Sequence, residues 1–225
     1  MRYVITVVLA LLPLSLWAEV TGVYEIANGK TMELSYKDSE HIRMSMPGGQ
    51  FMLVNGDKTY MVRQQNGQWV AMDLAAMGKM MQQMRQQGGK KSAPGKQGSS
   101  DAEFRDTGRT ETIAGYEGSV YEVTANGETN EIVLSDHEDI VALSRGWVQF
   151  TGNMSKQMGA MNEQMQDDLL SKSDIDERGG ILRVGNDMRV KSVSTDNKGA
   201  DFYELPQGTR VQDMSNMGGG MMRGR

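Results

Sequence analysis

The sequence contains no cysteine at all, two histidines, four prolines and four phenylalanines in 225 residues. Without cysteine, disulfides, thiolate zinc sites, iron–sulfur clusters and a cysteine nucleophile are all excluded. With only His41 and His137, a multi-histidine metal centre is excluded as well. Positive charge is in deficit, 24 Lys and Arg against 29 Asp and Glu, and the net charge of −5 argues against nucleic acid or anionic lipid headgroups as partners. No G-x-S-x-G, H-E-x-x-H, phosphate-loop or dinucleotide fingerprint occurs. The chemistry-bearing motifs of common enzymes are therefore missing, and no catalytic residue or cofactor is expected.

Long apolar runs are scarce too. The one apolar stretch, Val4 to Leu16, follows the lone charge Arg2 and precedes the small residue Ala18. That is the layout of a secretory signal peptide over residues 1–18, cut after Ala18. The run falls short of the ~20 apolar residues that span a bilayer, which disfavours an uncleaved anchor. The expectation is an exported, periplasmic or secreted protein that is not an integral membrane protein and starts at Glu19. In an oxidising compartment without disulfides, it must be held by core packing.

What is present is alternation. Met32, Leu34 and Tyr36 oppose Thr31, Glu33 and Ser35, and Ile42, Met44 and Met46 oppose His41, Arg43 and Ser45. Period two marks strands with one buried and one solvated face, as in antiparallel sheets. Asn28-Gly29, Asn55-Gly56, Asn66-Gly67 and Asn126-Gly127 are favoured hairpin dipeptides, and Pro47-Gly48-Gly49 is a further turn. Strands are predicted at about 20–26, 31–36, 41–46, 50–54, 59–64, 69–73, 103–113, 117–123, 129–135, 181–184, 187–194 and 200–205. The last two pair across Asp196–Gly199.

Two segments break this period. Leu74 to Gln87 carries Met77, Met80, Met81 and Met84 on one helical face. Asp136 to Lys172 reads as mainly helical, with a break at Gly146 or Gly152, and carries Met154, Met158, Met161 and Met165. Residues 88–101 are a Gly/Ser/Lys-rich flexible insert, and residues 215–225 a disordered Met/Gly tail. The fold class is mainly β (α+β): a single domain over residues 19–214, with a curved antiparallel sheet or half-barrel and two Met-faced helices over its concave face.

Methionine is the outlier, 20 in 225 residues. Unbranched, polarisable side chains fill irregular cores and repack around varied apolar partners. Met77, Met80, Met81, Met84, Met154, Met158, Met161 and Met165 are accordingly the candidate surface for a lipid or an apolar protein segment. Thioethers are also soft ligands, so Met44-x-Met46, Met77-x-x-Met80-Met81 and Met221-Met222 keep open a Met-rich periplasmic Cu(I)/Ag(I)-binding protein. Asp136-His137-Glu138-Asp139 is read as a helix N-terminus, its acids offsetting the macrodipole, not as a catalytic cluster. Asp174-x-Asp176-Glu177 lacks the ligand spacing of a calcium loop.

Three stretches carry a resemblance: IRMSMPGGQFMLVNGDKTYMV (Ile42 to Val62), TETIAGYEGSVYEV (Thr110 to Val123) and FYELPQGTRVQDM (Phe202 to Met214). Together the chain resembles domain-of-unknown-function family 4412 of exported bacterial proteins. Gly118 or Ser119 stands where many members carry Cys, which removes any redox role there. The family is similar in layout to the lipoprotein-carrier-like (LolA-like) half-barrel, whose concave face shelters acyl chains. The resemblance implies a fold and supplies no catalytic residues.

Overall fold

The computed structural model describes residues 19–87, 103–125, 127–158 and 175–212. The expected leader, the 88–101 insert and the 215–225 tail lie outside these residues.

Six strands form the first meander: β1 (Val20–Ile26), β2 (Lys30–Asp38), β3 (His41–Ser45), β4 (Phe51–Asn55), β5 (Lys58–Gln65) and β6 (Gln68–Asp73). Helix α1 (Leu74–Gln87) follows. A second meander, β7 (Glu103–Ile113), β8 (Tyr116–Ala125) and β9 (Glu128–Ser135), leads into α2 (Glu138–Gln157). The short α3 (Ile175–Arg178), β10 (Gly180–Val184), β11 (Met188–Ser194) and β12 (Arg210–Gln212) complete the order. The twelve strands of the described residues join one open sheet, β12-β6-β5-β4-β3-β2-β1-β11-β10-β9-β8-β7, antiparallel throughout except where β12 runs parallel to β6. The β1–β11 ladder fuses the two meanders.

The helices cover one face. Ile140, Leu143 and Phe150 of α2 are buried against β1, β2 and β10, and α1 packs on β5 and β6. This core contains Tyr24, Leu34, Ile42, Met44, Met52, Val133, Leu182 and Val190. Among the described residues, no helix is long and apolar enough to cross a membrane.

α2 is unbroken through Gly146 and Gly152, contrary to the expected break. Gly146 is used for close approach: a Cβ there would sit 2.7 Å from the Tyr36 ring. Gly78 does the same at the crossing of the two helices, where a Cβ would meet the Gln157 carbonyl oxygen at 2.3 Å. Of the expected Asn-Gly turns, Asn66-Gly67 is described with both residues left-handed, as a type I′ turn needs. Asn55 instead donates its side-chain amide to the Tyr203 carbonyl.

The expected 200–205 strand is a further correction. Ala200–Tyr203 is a single 3-10 turn. From there the chain crosses the face of β3–β6 opposite the helices, burying Tyr203 with Phe51, Leu53, Val62 and Ala71. The expected solvated face of these strands is thus a second core. Arg43 lies between the rings of Phe51 and Phe202, 3.7 and 4.4 Å from their centroids, and donates to the Phe202 carbonyl at 3.0 Å. The Glu19 carboxylate accepts the Tyr203 hydroxyl at 2.8 Å and the Lys198 backbone N–H at 3.1 Å, tying the start of the described chain to this strap.

Candidate apolar site between helix and sheet

The strand that begins the domain positions the first wall of the site. Tyr24 on β1 is buried because its neighbour Gly22 leaves room for Leu143 of α2 to settle on the strand. One turn further along α2, Trp147 faces Tyr24, with ring centroids 6.3 Å apart. Tyr24, Trp147, Val148, Ile181, Met188 and Ser144 line a cleft of about 30 Å³ between α2 and strands β1, β10 and β11. The Ser144 hydroxyl in this wall is engaged: its Oγ accepts the Ile181 backbone N–H at 2.7 Å. Burial pushes the Tyr24 phenol well above its ordinary pKa, so this wall of the cleft stays uncharged into the alkaline range.

Two larger hollows, about 240 and 280 Å³, are of a different character. Glu25, Arg183 and Arg189 line the first, and Glu117, Asp136 and Arg178 the second.

The candidate methionines divide by position. Met77 and Met154 pack against the helix-side core. Met80 and Met158 are half-buried, and Met81 is 46% exposed. Met161, Met165 and the side chain of Met84 lie outside the described residues. The buried line of α1 runs through Leu74 and Gly78, so the stripe is half-buried at Met77 and Met80 and open to solvent at Met81. Spacing within one helix could not show this, because the depth of each position is set by where α2 crosses α1. Of the cleft walls, Met188 alone is a methionine. Tyr24, Trp147 and Ile181 carry no sequence signal, because they come from three distant segments, each ordinary by itself.

Both histidines have structural partners. His41 Nδ1 lies 2.8 Å from Asp38 Oδ1, and its ring meets Tyr203 edge-on at 6.0 Å. His137 caps α2, its Nδ1 accepting the Asp139 backbone N–H at 3.3 Å, with Glu138 and Asp139 in the first turn as expected. Among the described residues no group of three His, Cys, Asp or Glu is placed to hold a metal ion.

The family model described as a domain of unknown function (DUF4412) matches residues 24–209. No curated protein matches the chain. Among solved structures, PNGF-II in one crystal form is similar with a TM-score of 0.36 and 10% identity, over 88% of this chain and 31% of that one. A second crystal form gives a TM-score of 0.34 at 10% identity, over 86% and 31%.

Proposed function

The chain belongs to the DUF4412 family, and we propose that it is an exported, non-enzymatic binding protein that takes an apolar ligand, a lipid chain or an apolar protein segment between α2 and its curved sheet. The observation that carries this reading is the cleft walled by Tyr24, Trp147, Val148, Ile181 and Met188.

At about 30 Å³ it has room for roughly two water molecules, so a ligand enters only as its walls part. Met188 is an unbranched side chain that repacks at low cost, and Met80, Met81 and Met158 extend an adaptable apolar surface along the helices. The energy on offer is hydrophobic and non-directional, about 25 cal/mol for each Å² of apolar surface covered. Such a site selects for apolar length and shape, not for a headgroup. The structural engagement of His41 and His137 favours binding over catalysis.

The test is binding of an environment-sensitive apolar dye to the protein lacking residues 1–18. Val148→Glu and Ile181→Glu, which place a charge at the cleft, are expected to abolish the signal while the fold persists by circular dichroism. Undiminished dye binding by both variants overturns the reading.

A further inference from the structure

Strand register assembles a group of methionines that spacing along the chain does not reveal. Met44 on β3 lies opposite Met52 on β4, Met52 opposite Met61 on β5, and Met61 opposite Met72 on β6. Four neighbouring strands thus set a thioether side chain at one level of the sheet. Residues directly opposite in antiparallel strands share a face, with Cβ atoms about 4.5–5.5 Å apart. From that separation, the rotatable bonds of methionine let neighbouring sulfurs turn toward a common point.

The row is graded in depth. Met44 and Met52 are 6% and 7% exposed, whereas Met61 and Met72 are half-buried. Met46, Met61, Met77 and Met154 pack on the core that holds Met44 and Met52. The row therefore runs from a dry interior out to a position that solvent reaches, which supplies an entry path.

Leucine would fill such a core equally well; what sulfur adds is a soft, neutral donor. Thioethers suit monovalent copper, and silver(I) shares that softness. The cost of burying an ion rises with the square of its charge, so an uncharged donor set in an apolar core disfavours a divalent ion far more than a monovalent one. We propose that Met44, Met52, Met61 and Met72 form a site for a soft monovalent cation, Cu(I) or Ag(I), bound through two or three thioether sulfurs without change of oxidation state. The site is separate from the Tyr24–Trp147 cleft and independent of the apolar-ligand reading.

The experiment is anaerobic titration of Cu(I), and separately Ag(I), into the chain lacking residues 1–18, against a competing chromophoric chelator. Wild type is expected to hold one equivalent against the chelator. Met52→Leu with Met61→Leu is expected to weaken retention about 100-fold. Met32→Leu, on β2 outside the row, leaves it unchanged. Thermal unfolding reports whether the double variant folds; if it does not, Met61→Leu alone, at a half-buried position, is the replacement and lowers retention in the same direction. Failure of wild type to retain either ion overturns the proposal. So does equal retention by the row variant, or a loss seen only when Met217, Met221 and Met222 are changed. Dye binding at the cleft is measured on the same samples, so failure of one idea is distinguished from failure of the other.

Discussion

Glu111 on β7 and Arg189 on β11 meet at 3.0 Å, although β8, β9 and β10 lie between their strands in the sheet. In a flat sheet, four strand spacings would hold them roughly 19 Å apart. The sheet must curl at this end, and the ion pair ties the curl. Arg183 on β10 reaches the same carboxylate through Nε at 3.1 Å and Nη2 at 2.9 Å, and its Nη2 lies 3.4 Å from Glu131. Arg109 bonds Glu131 from the far side.

Glu111→Ala is therefore expected to cost about 1–2 kcal/mol in urea unfolding, because it leaves the largely buried Arg183 without its principal acceptor. Lys191→Ala removes the half-exposed partner of Glu25 and is expected to change stability within error. Equal effects from the two variants would show that the Glu111 contact does not tie the curl.

Glycines at close contacts give a second expectation. Alanine favours a helix interior by about 1 kcal/mol over glycine. At Gly78 and Gly146 the sign is expected to reverse, with losses of about 1–3 kcal/mol from overpacking. The new methyl would press on the Gln157 carbonyl at the first site and on the Tyr36 ring at the second. Gly78→Ala is expected to be the worse of the two, because backbone cannot swing aside as a ring can. Thermal unfolding of the two variants checks the order.

Much of this fold was legible locally. The alternation of Met32 to Tyr36 and of Ile42 to Met46 marked β2 and β3, and the methionines after Leu74 marked α1. What local pattern could not show was which second surface each strand would meet. His41, Arg43 and Ser45 read as a solvated face, yet a segment some 160 residues later covers the first two with Phe202 and Tyr203. Gly146 read as a helix breaker because its partner, Tyr36, is brought to it only by tertiary packing. The same holds for the candidate site. The helical methionines were visible from spacing, whereas the Tyr24–Trp147 cleft and the four-strand methionine row exist only through packing and register.

Alkaline pH is expected to unfold the protein earlier than its charge alone would. Burial pushes up the Tyr24 phenol, and burial with the adjoining Glu19 carboxylate pushes up Tyr203, both well above the ordinary value near 10. For a raised tyrosine the folded state keeps the proton while the unfolded chain releases it. This contribution to stability is intact below about pH 10 and is lost as pH rises through and beyond that value. Tyr203→Phe is expected to flatten the decline in urea midpoint between about pH 9 and 11. It also removes the Glu19 bond, and so lowers stability at pH 7 by about 1–2 kcal/mol. An unchanged alkaline slope in this variant would contradict the assignment.

The helical methionines separate apolar contact from sulfur chemistry. Changing Met77, Met80, Met81, Met154 and Met158 together to Leu conserves apolar surface, and such swaps usually cost under about 1.5 kcal/mol each. The Leu variant is expected to fold and to bind the apolar dye as wild type does. The corresponding Gln variant puts amides into that surface without assured partners and is expected to weaken dye binding. Equal dye binding by both variants would remove these helix faces from the site.

The claim that this is a binder of apolar molecules meets its most direct test in native mass spectrometry of the full-length gene product, exported and purified from its own cell envelope without detergent. The polypeptide is expected to begin at Glu19 and to carry extra mass, released on denaturation in organic solvent as a lipid or an apolar peptide and absent from the Val148→Glu and Ile181→Glu variants. A bare polypeptide mass, or a bound molecule retained equally by those variants, would contradict it.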